Sequence, residues 1–218
     1  MSKRWYDLAQ PFYEGMPHAQ TQLPPKISRI MEIGQHPINV TQFTFVTHIG
    51  THVDAPLHFI AGGKSIDQLP FEAFAGEGVI LDLPKPEFGV ITADDLRAVR
   101  QEIRPGDIVF IRTGWGAKYA AEGYYRHPCL AANAAEWLIE RRVKMVGVDT
   151  ITPDLAGLKR GPDFQYVVHP LLLGAEILIV EHLNLEAVAG KRAFIMAAPI
   201  VIKGADGAPA RVAALVDD

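Results

Sequence analysis

Apolar positions along the chain fall into short runs, and the runs differ in character. Up to residue 40 the chain is broken by Pro11, Pro17, Pro24, Pro25 and Pro37. Proline fixes φ and removes a backbone donor, so this stretch is expected to form loops and short strands over a surface. Residues 40–48 are rich in β-branched and aromatic side chains, a composition that predicts a strand. The short apolar runs at 79–83, 107–112, 144–148 and 177–180 predict four more strands, the third ending at Asp149. Helices are expected at 93–103, with Thr92 as cap and Asp94 and Asp95 in the first turn, and at 131–142. A shorter helix over 166–173 would be stopped by Gly174. Residues 193–202 and 210–216 read as two strands joined by the turn sequence Gly204-Ala-Asp-Gly207. Strands alternate with helices in the middle and pair at both ends, which predicts an α/β or α+β fold with a mixed sheet. There is no linker or internal repeat, so the expectation is a single domain over residues 1–218.

Composition narrows the function classes. The 218 residues carry 25 acidic and 21 basic groups, a net charge of −4. No Lys/Arg cluster is dense enough to track a phosphate backbone, which argues against nucleic acid as a partner. The lone Cys129 excludes an internal disulfide framework and a four-thiolate zinc site. The longest apolar run, 193–202, is interrupted by Pro199 and falls far short of the ~20 residues that span a bilayer. The opening Met1-Ser-Lys-Arg-Trp-Tyr-Asp lacks the apolar run of a signal peptide. A soluble, cytoplasmic protein without a membrane partner is the expectation.

Chemistry concentrates in Thr47-His-Ile-Gly-Thr-His-Val-Asp-Ala-Pro-Leu-His58. Three of the eight histidines fall in its last eleven residues, where even spacing would put fewer than one. Neutral imidazole and carboxylate are ligands for zinc or manganese. His48, His52 and Asp54 share a parity, so on a strand they share a face. On a straight strand, however, positions i and i+4 lie about 13 Å apart. A helix would bring them together, but Ile49, Gly50, Thr51, Val53 and Pro56 disfavour one. A bend at Gly50, where the missing Cβ permits unusual φ/ψ, would place both rings on one ion, with Asp54 completing the set. His58 could be a fourth ligand or a free base, and proton transfer is the role assigned to it. The bland alternative is that these are ordinary core histidines. A closed structural zinc site is disfavoured by the lack of thiolates.

The string His48-Ile-Gly-Thr-His52-Val-Asp54-Ala-Pro56-Leu-His58 resembles the His-x-Gly-Thr-His-x-Asp-x-Pro-x-His signature of the cyclase family, which includes bacterial kynurenine formamidase and isatin hydrolase. Gly106-Asp-Ile-Val-Phe-Ile-Arg-Thr-Gly-Trp115, Val146-Gly-Val-Asp149-Thr and His169-Pro-Leu-Leu-Leu with Glu181 are similar too. The resemblance implies a swivelling β/β/α fold and a homodimer or larger assembly. It implies a first metal held by His48, His52 and Asp54, and in formamidases a second held by Asp54, His169 and Glu181. Zinc is the metal implied first and manganese second, with one or two ions. His58 matches the proton-transfer histidine. The implied activity is hydrolysis of a small amide or cyclic amide, arylformamidase-like, or else opening of an isatin-like lactam or a lactone.

Apart from the resemblance, His169 and Glu181 would not attract notice, and Asp149 reads as a turn residue. Many formamidases carry an aromatic residue before a Pro-Gly-Asp turn near residues 18–22. Here Met16-Pro-His-Ala-Gln-Thr-Gln22 has no such turn, so a different substrate pocket is expected, with Tyr13 or His18 as candidate contacts. Tyr125, His127 and Cys129 receive no role. Serine hydrolases and dinucleotide enzymes find no motif here. The non-enzymatic alternative is a metal- or small-molecule-binding protein without turnover.

Overall fold

A computed structural model describes residues 2–217. Its core is a mixed sheet of eight strands. These are β1 (Lys3–Asp7), β4 (His52–Asp54), β5 (Ala75–Asp82), β7 (Ile108–Arg112), β9 (Met145–Val148), β10 (Leu178–Glu181), β11 (Arg192–Pro199) and β12 (Gly207–Asp217). The order is β1-β12-β11-β5-β7-β9-β10-β4, and β4 also pairs with β12. That last pairing closes seven strands into a barrel-like sheet, with β1 on the outside of β12. Strands β5, β7, β9 and β10 run parallel, and the remaining pairings are antiparallel. Two small sheets complete the set: an arm of β2 (Lys26–Met31) with β3 (Val40–Thr44), and a pair β6 (Val90–Ile91) with β8 (Cys129–Leu130).

Strand periodicity explains why the parallel strands read as continuous apolar runs: both of their faces are buried. In β7, Ile108 and Phe110 enter the barrel interior while Val109 and Ile111 face the helices. In β10, Val180 points inward and Ile179 outward. The outer core is covered by α1 (Ala93–Ala98), α2 (Ala132–Glu140) and α3 (Val168–Gly174). Among the described residues no helix is long and apolar enough to cross a membrane.

Gly147 shows how tightly the interior is filled. It lies beside Phe110 in the β7–β9 register, and a Cβ on it would stand 2.3 Å from Phe110 Cδ1 and 2.6 Å from Leu183 Cδ1. Overpacking of this kind typically costs about 1–3 kcal/mol. Gly147→Ala is therefore expected to lower the urea midpoint without changing the slope of the transition. An unchanged midpoint would mean that the two side chains can step aside.

Several predicted boundaries move. The 40–48 strand stops at Thr44, because residues 45–48 leave the arm and Phe45 and Val46 pack against the Met16, Ile49 and Trp115 cluster. The 93–103 helix ends at Ala98. Val99 is extended there, which lets Gln101 reach Gly190 O at 3.1 Å and buries Ile103. Tertiary contacts outweigh propensity at that end. In α3 the left-handed position falls on Glu176, with φ of 58°, and Gly174 is the last helical residue instead of the stop. The 193–202 strand closes at Pro199, leaving Ile200 and Val201 exposed. Strand β12 begins at Gly207, inside the predicted turn.

Candidate metal centre and its cavity

Gly50 has φ of 58°, a left-handed conformation that costs an L side chain about 1–2 kcal/mol. The expected bend is therefore present. It folds His48 back over the strand that follows, so that its Nδ1 stands 2.6 Å from Asp54 Oδ1. Close approach of another glycine makes room for this ring: a Cβ on Gly207 would meet His48 Cε1 at 2.7 Å. Strand β4 puts Val53 into the barrel, leaving His52 and Asp54 together on the other face. The β4–β10 register sets His52 opposite Glu181.

These placements converge. His52 Nε2 lies 3.2 Å from Asp54 Oδ1 and 3.4 Å from Glu181 Oε2. His169, near the start of α3, sets its Nε2 3.1 Å from Glu181 Oε1 and 3.5 Å from Asp54 Oδ2. His58 sits in the single turn Pro56–His58, stacked on His48 with ring centroids 3.6 Å apart. Donor atoms of His48, His52 and Asp54 fall within 4.8 Å of one another, as do those of Asp54, His58 and His169. All six residues singled out from the sequence meet here, with Asp54 common to both groups.

The hydrogen bonds behind the rings decide what the cluster can hold. His52 Nδ1 is 2.7 Å from the Gly50 carbonyl, which can only accept. Nδ1 therefore donates to that carbonyl, and Nε2 is the nitrogen turned toward two carboxylates. That Nε2 and Asp54 Oδ2 are buried without a hydrogen-bond partner. His169 Nδ1 is likewise tied to Asp154 Oδ2 at 2.5 Å, which leaves its Nε2 facing Asp54 and Glu181. His48 Nε2 is held by Asp206 Oδ2 at 2.9 Å, and Asp206 in turn by Thr47 Oγ1 at 2.9 Å. Each ring thus has one nitrogen anchored by an outer acceptor and the other aimed inward, the pattern of metal-bound histidine.

Charge points the same way. Burial opposes a proton on His48, yet Asp54 and Asp206 raise its pKa to about 10. Burial, and then Asp54, raise the pKa of Glu181. Burial also opposes charge on His169, but Asp154, Asp54 and Glu181 together raise it well above the ordinary value. Two buried carboxylates demand positive charge between them, which protons on His48 and His169 supply in this structure and which a divalent cation would supply in their place. Burial pushes His58 down to about 4, with Asp54 countering and His48 and His169 adding to the shift. His58 is consequently neutral near pH 7.

A cavity of about 440 Å³ opens over the cluster, its wall including Gln20, Phe59, Tyr125, His127, Arg160, Tyr166 and His182. Phe59 stacks on His169 with centroids 4.7 Å apart and meets Tyr166 edge-on at 5.1 Å. Arg160 donates from Nη1 to the Tyr166 hydroxyl at 2.8 Å. Residues 19–22, which lack the formamidase turn, do border this space. Tyr13 and His18 are not in the wall: Tyr13 packs edge-on against Tyr119, and His18 Nδ1 lies 3.1 Å from Met16 O. Asp149 anchors a turn, as its plainer reading held. It accepts from the backbone N–H of Thr113, Gly114, Trp115 and Gly116 and from the Thr113 hydroxyl.

Sequence reading missed Asp154, Asp206, Tyr124 and His182, and gave no role to Tyr125 and His127, which border the cavity. Asp154 accepts from the backbone N–H of Val167, Val168 and His169 as well as from the His169 ring, so it caps α3 and orients its ligand together. Asp206 lies 158 residues from His48, with no local spacing to betray it.

Residues 6–155 match the Cyclase family model, described as "Putative cyclase". Kynurenine formamidase of Bordetella petrii is 31% identical over 178 residues, covering 80% of this chain and 79% of that protein. Among solved structures, isatin hydrolase A from Ralstonia solanacearum superposes with a TM-score of 0.89 at 33% identity, covering 99% and 92% of the two chains. A structure described as a potential metal-dependent hydrolase with cyclase activity gives 0.81 at 30% identity over the full length of both. The family match over residues 6–155, with a relative 31% identical over 80% of the chain, shows that the chain belongs to the cyclase family.

Proposed function

We propose that this chain is a metal-dependent hydrolase of a small amide or cyclic amide, resembling kynurenine formamidase, with an isatin-like lactam as the second substrate class. One observation carries the reading. The Nε2 of His52 and the Oδ2 of Asp54 are buried without a hydrogen-bond partner, beside Glu181 and the inward nitrogen of His169, an arrangement that a divalent cation would stabilise. His48, His52, Asp54, His169 and Glu181 are the residues that would hold it. Zinc suits the imidazole-rich donors and manganese the carboxylates. The chain is read as one domain over its whole length. Exposed Ile30, Ile33, Ile38 and Phe43 on or beside the β2–β3 arm support association of two copies.

A cation in this set supplies Lewis acidity, making water nucleophilic at neutral pH and stabilising the charge that develops on the carbonyl oxygen. The protein's own groups do the rest. His58, neutral at pH 7, takes the proton of the attacking water and returns it to the leaving nitrogen, so that an amide and water give an acid and an amine. Asp206 Oδ2, 3.4 Å from His58 Nδ1, and the stack on His48 fix the plane of that ring. Phe59 and Tyr166 give an aromatic substrate a flat apolar face.

Protein purified without chelator is expected to carry at least one divalent ion per chain. It should hydrolyse at least one member of a panel of N-formyl aromatic amines, isatin, other cyclic amides and lactones. Chelation should abolish turnover, and Zn²⁺ or Mn²⁺ should restore it. Metal-loaded protein inert toward the whole panel would favour a binding protein over a hydrolase.

A further inference from the structure

His182 follows Glu181 at the end of β10, and its backbone lies in the left-handed region with φ of 57°. Such strain persists where the surroundings over-determine it, and it clusters at functional sites. The surroundings do so here. The His182 N–H donates to Thr150 O at 2.9 Å, and its carbonyl accepts from Thr51 Oγ1 at 2.7 Å. The result is a ring set into the cavity wall, its centroid 6.0 Å from that of His52, on a residue only 2% exposed.

The two nitrogens of this ring are not equivalent. Nδ1 is 2.9 Å from the Tyr124 hydroxyl. Tyr124 is fully buried, and its O–H has two acceptors in reach: His182 Nδ1, and the Asp149 carbonyl at the much longer 3.5 Å. The shorter contact takes the proton. Nδ1 therefore accepts, and the neutral ring carries its own hydrogen on Nε2. That Nε2 has no hydrogen-bond partner among the described residues. Unlike the orphaned Nε2 of His52 and of His127, it is not sealed from solvent, and the solvent it meets is that of the cavity. A donor held in one tautomer, with no acceptor in the protein, faces the space where a ligand sits.

We propose that His182 is a specificity-determining contact, donating from Nε2–H to an acceptor oxygen of the substrate, such as a carbonyl beside the scissile amide. With Nδ1 already engaged, the ring cannot accept, so a substrate N–H at that point is disfavoured. The inference rests on the cavity being the substrate site, and it adds the kind of group that the wall selects.

Two substitutions test it. His182→Gly keeps the left-handed backbone without strain and removes the donor. His182→Asn keeps a donor on a residue that tolerates this backbone. With zinc content and thermal midpoint verified, His182→Gly is expected to lower kcat/KM on isatin, which carries a second carbonyl, by about tenfold. His182→Asn should recover part of that loss. An unchanged kcat/KM in the glycine variant, or an equal loss in both, overturns the proposal. Nitrogen-15 spectra of the histidines in zinc-loaded wild-type protein give a readout apart from turnover. The expected result is the Nε2–H form of His182, with its signal moved by isatin; an Nδ1–H form or an unmoved signal overturns the contact. Movement without turnover of any panel compound would defeat the hydrolase reading and leave this contact standing.

Discussion

Replacing Asp54 with asparagine is expected to remove bound metal and activity together. Asp54 is fully buried, belongs to two of the three donor groups among the described residues and lies between the inward nitrogens of His52 and His169. Its Oδ2 has no hydrogen-bond partner, a condition that costs about 1–3 kcal/mol for a buried polar atom and more for a charged one. A cation supplies the missing partner. An asparagine amide withdraws the negative charge and can turn N–H donors toward the site, where only acceptors are useful. A catalytic metal contributes several kcal/mol of transition-state stabilisation, and each 1.4 kcal/mol is tenfold in rate. The expected loss in kcat/KM is thus on the order of 10³-fold or more, with metal per chain falling in parallel. If Asp54 served only as the partner of His48 in the core, the variant would lose stability but keep its metal. Metal analysis alongside thermal unfolding separates these outcomes, and full occupancy with near-wild-type turnover would remove Asp54 from the centre.

The local part of this centre was legible from the residues because its causes are local. A glycine between two histidines, in a stretch unsuited to helix, forces either a bend or no site, and the bend is there at φ of 58°. Parity correctly put His52 and Asp54 on one face. The apolar runs of β5, β7, β9 and β10 located the parallel strands, since burial on both faces leaves a continuous signal. What stayed hidden depends on closure of the sheet. Three-residue β4 is too short to show a period of its own, and it exists because β10 and β12 pair with it on both sides. Glu181 becomes significant only through the register that sets it opposite His52, and the family resemblance was the one route to it and to His169. Asp206 sits in a sequence that reads as a plain turn. Its role comes from the start of β12, where Gly207 lets the His48 ring approach. His182 stands next to a recognised residue, but nothing in the string Glu181-His182-Leu183 indicates a left-handed backbone.

Substitution of His58 by alanine separates proton transfer from metal binding. Its position allows both. It shares a donor group with Asp54 and His169 and another with His48 and Asp206, and it lies stacked on His48 in the cavity wall. Exposure argues for the proton. The His58 side chain is 25% exposed, against 1% for His52 and 5% for His169, so it meets the solvent from which the nucleophile comes. Its contact with Asp206 at 3.4 Å and its neutral state near pH 7 suit a base that must first accept. His58→Ala is therefore expected to retain metal while kcat falls about 10²–10⁴-fold, the usual contribution of a positioned general acid–base group. The deficit should shrink for substrates whose leaving nitrogen needs no protonation, because part of the work of His58 is then unnecessary. Loss of metal in step with rate would instead make His58 a ligand and pass the proton to another group. Undiminished kcat at full occupancy would remove it from the reaction altogether.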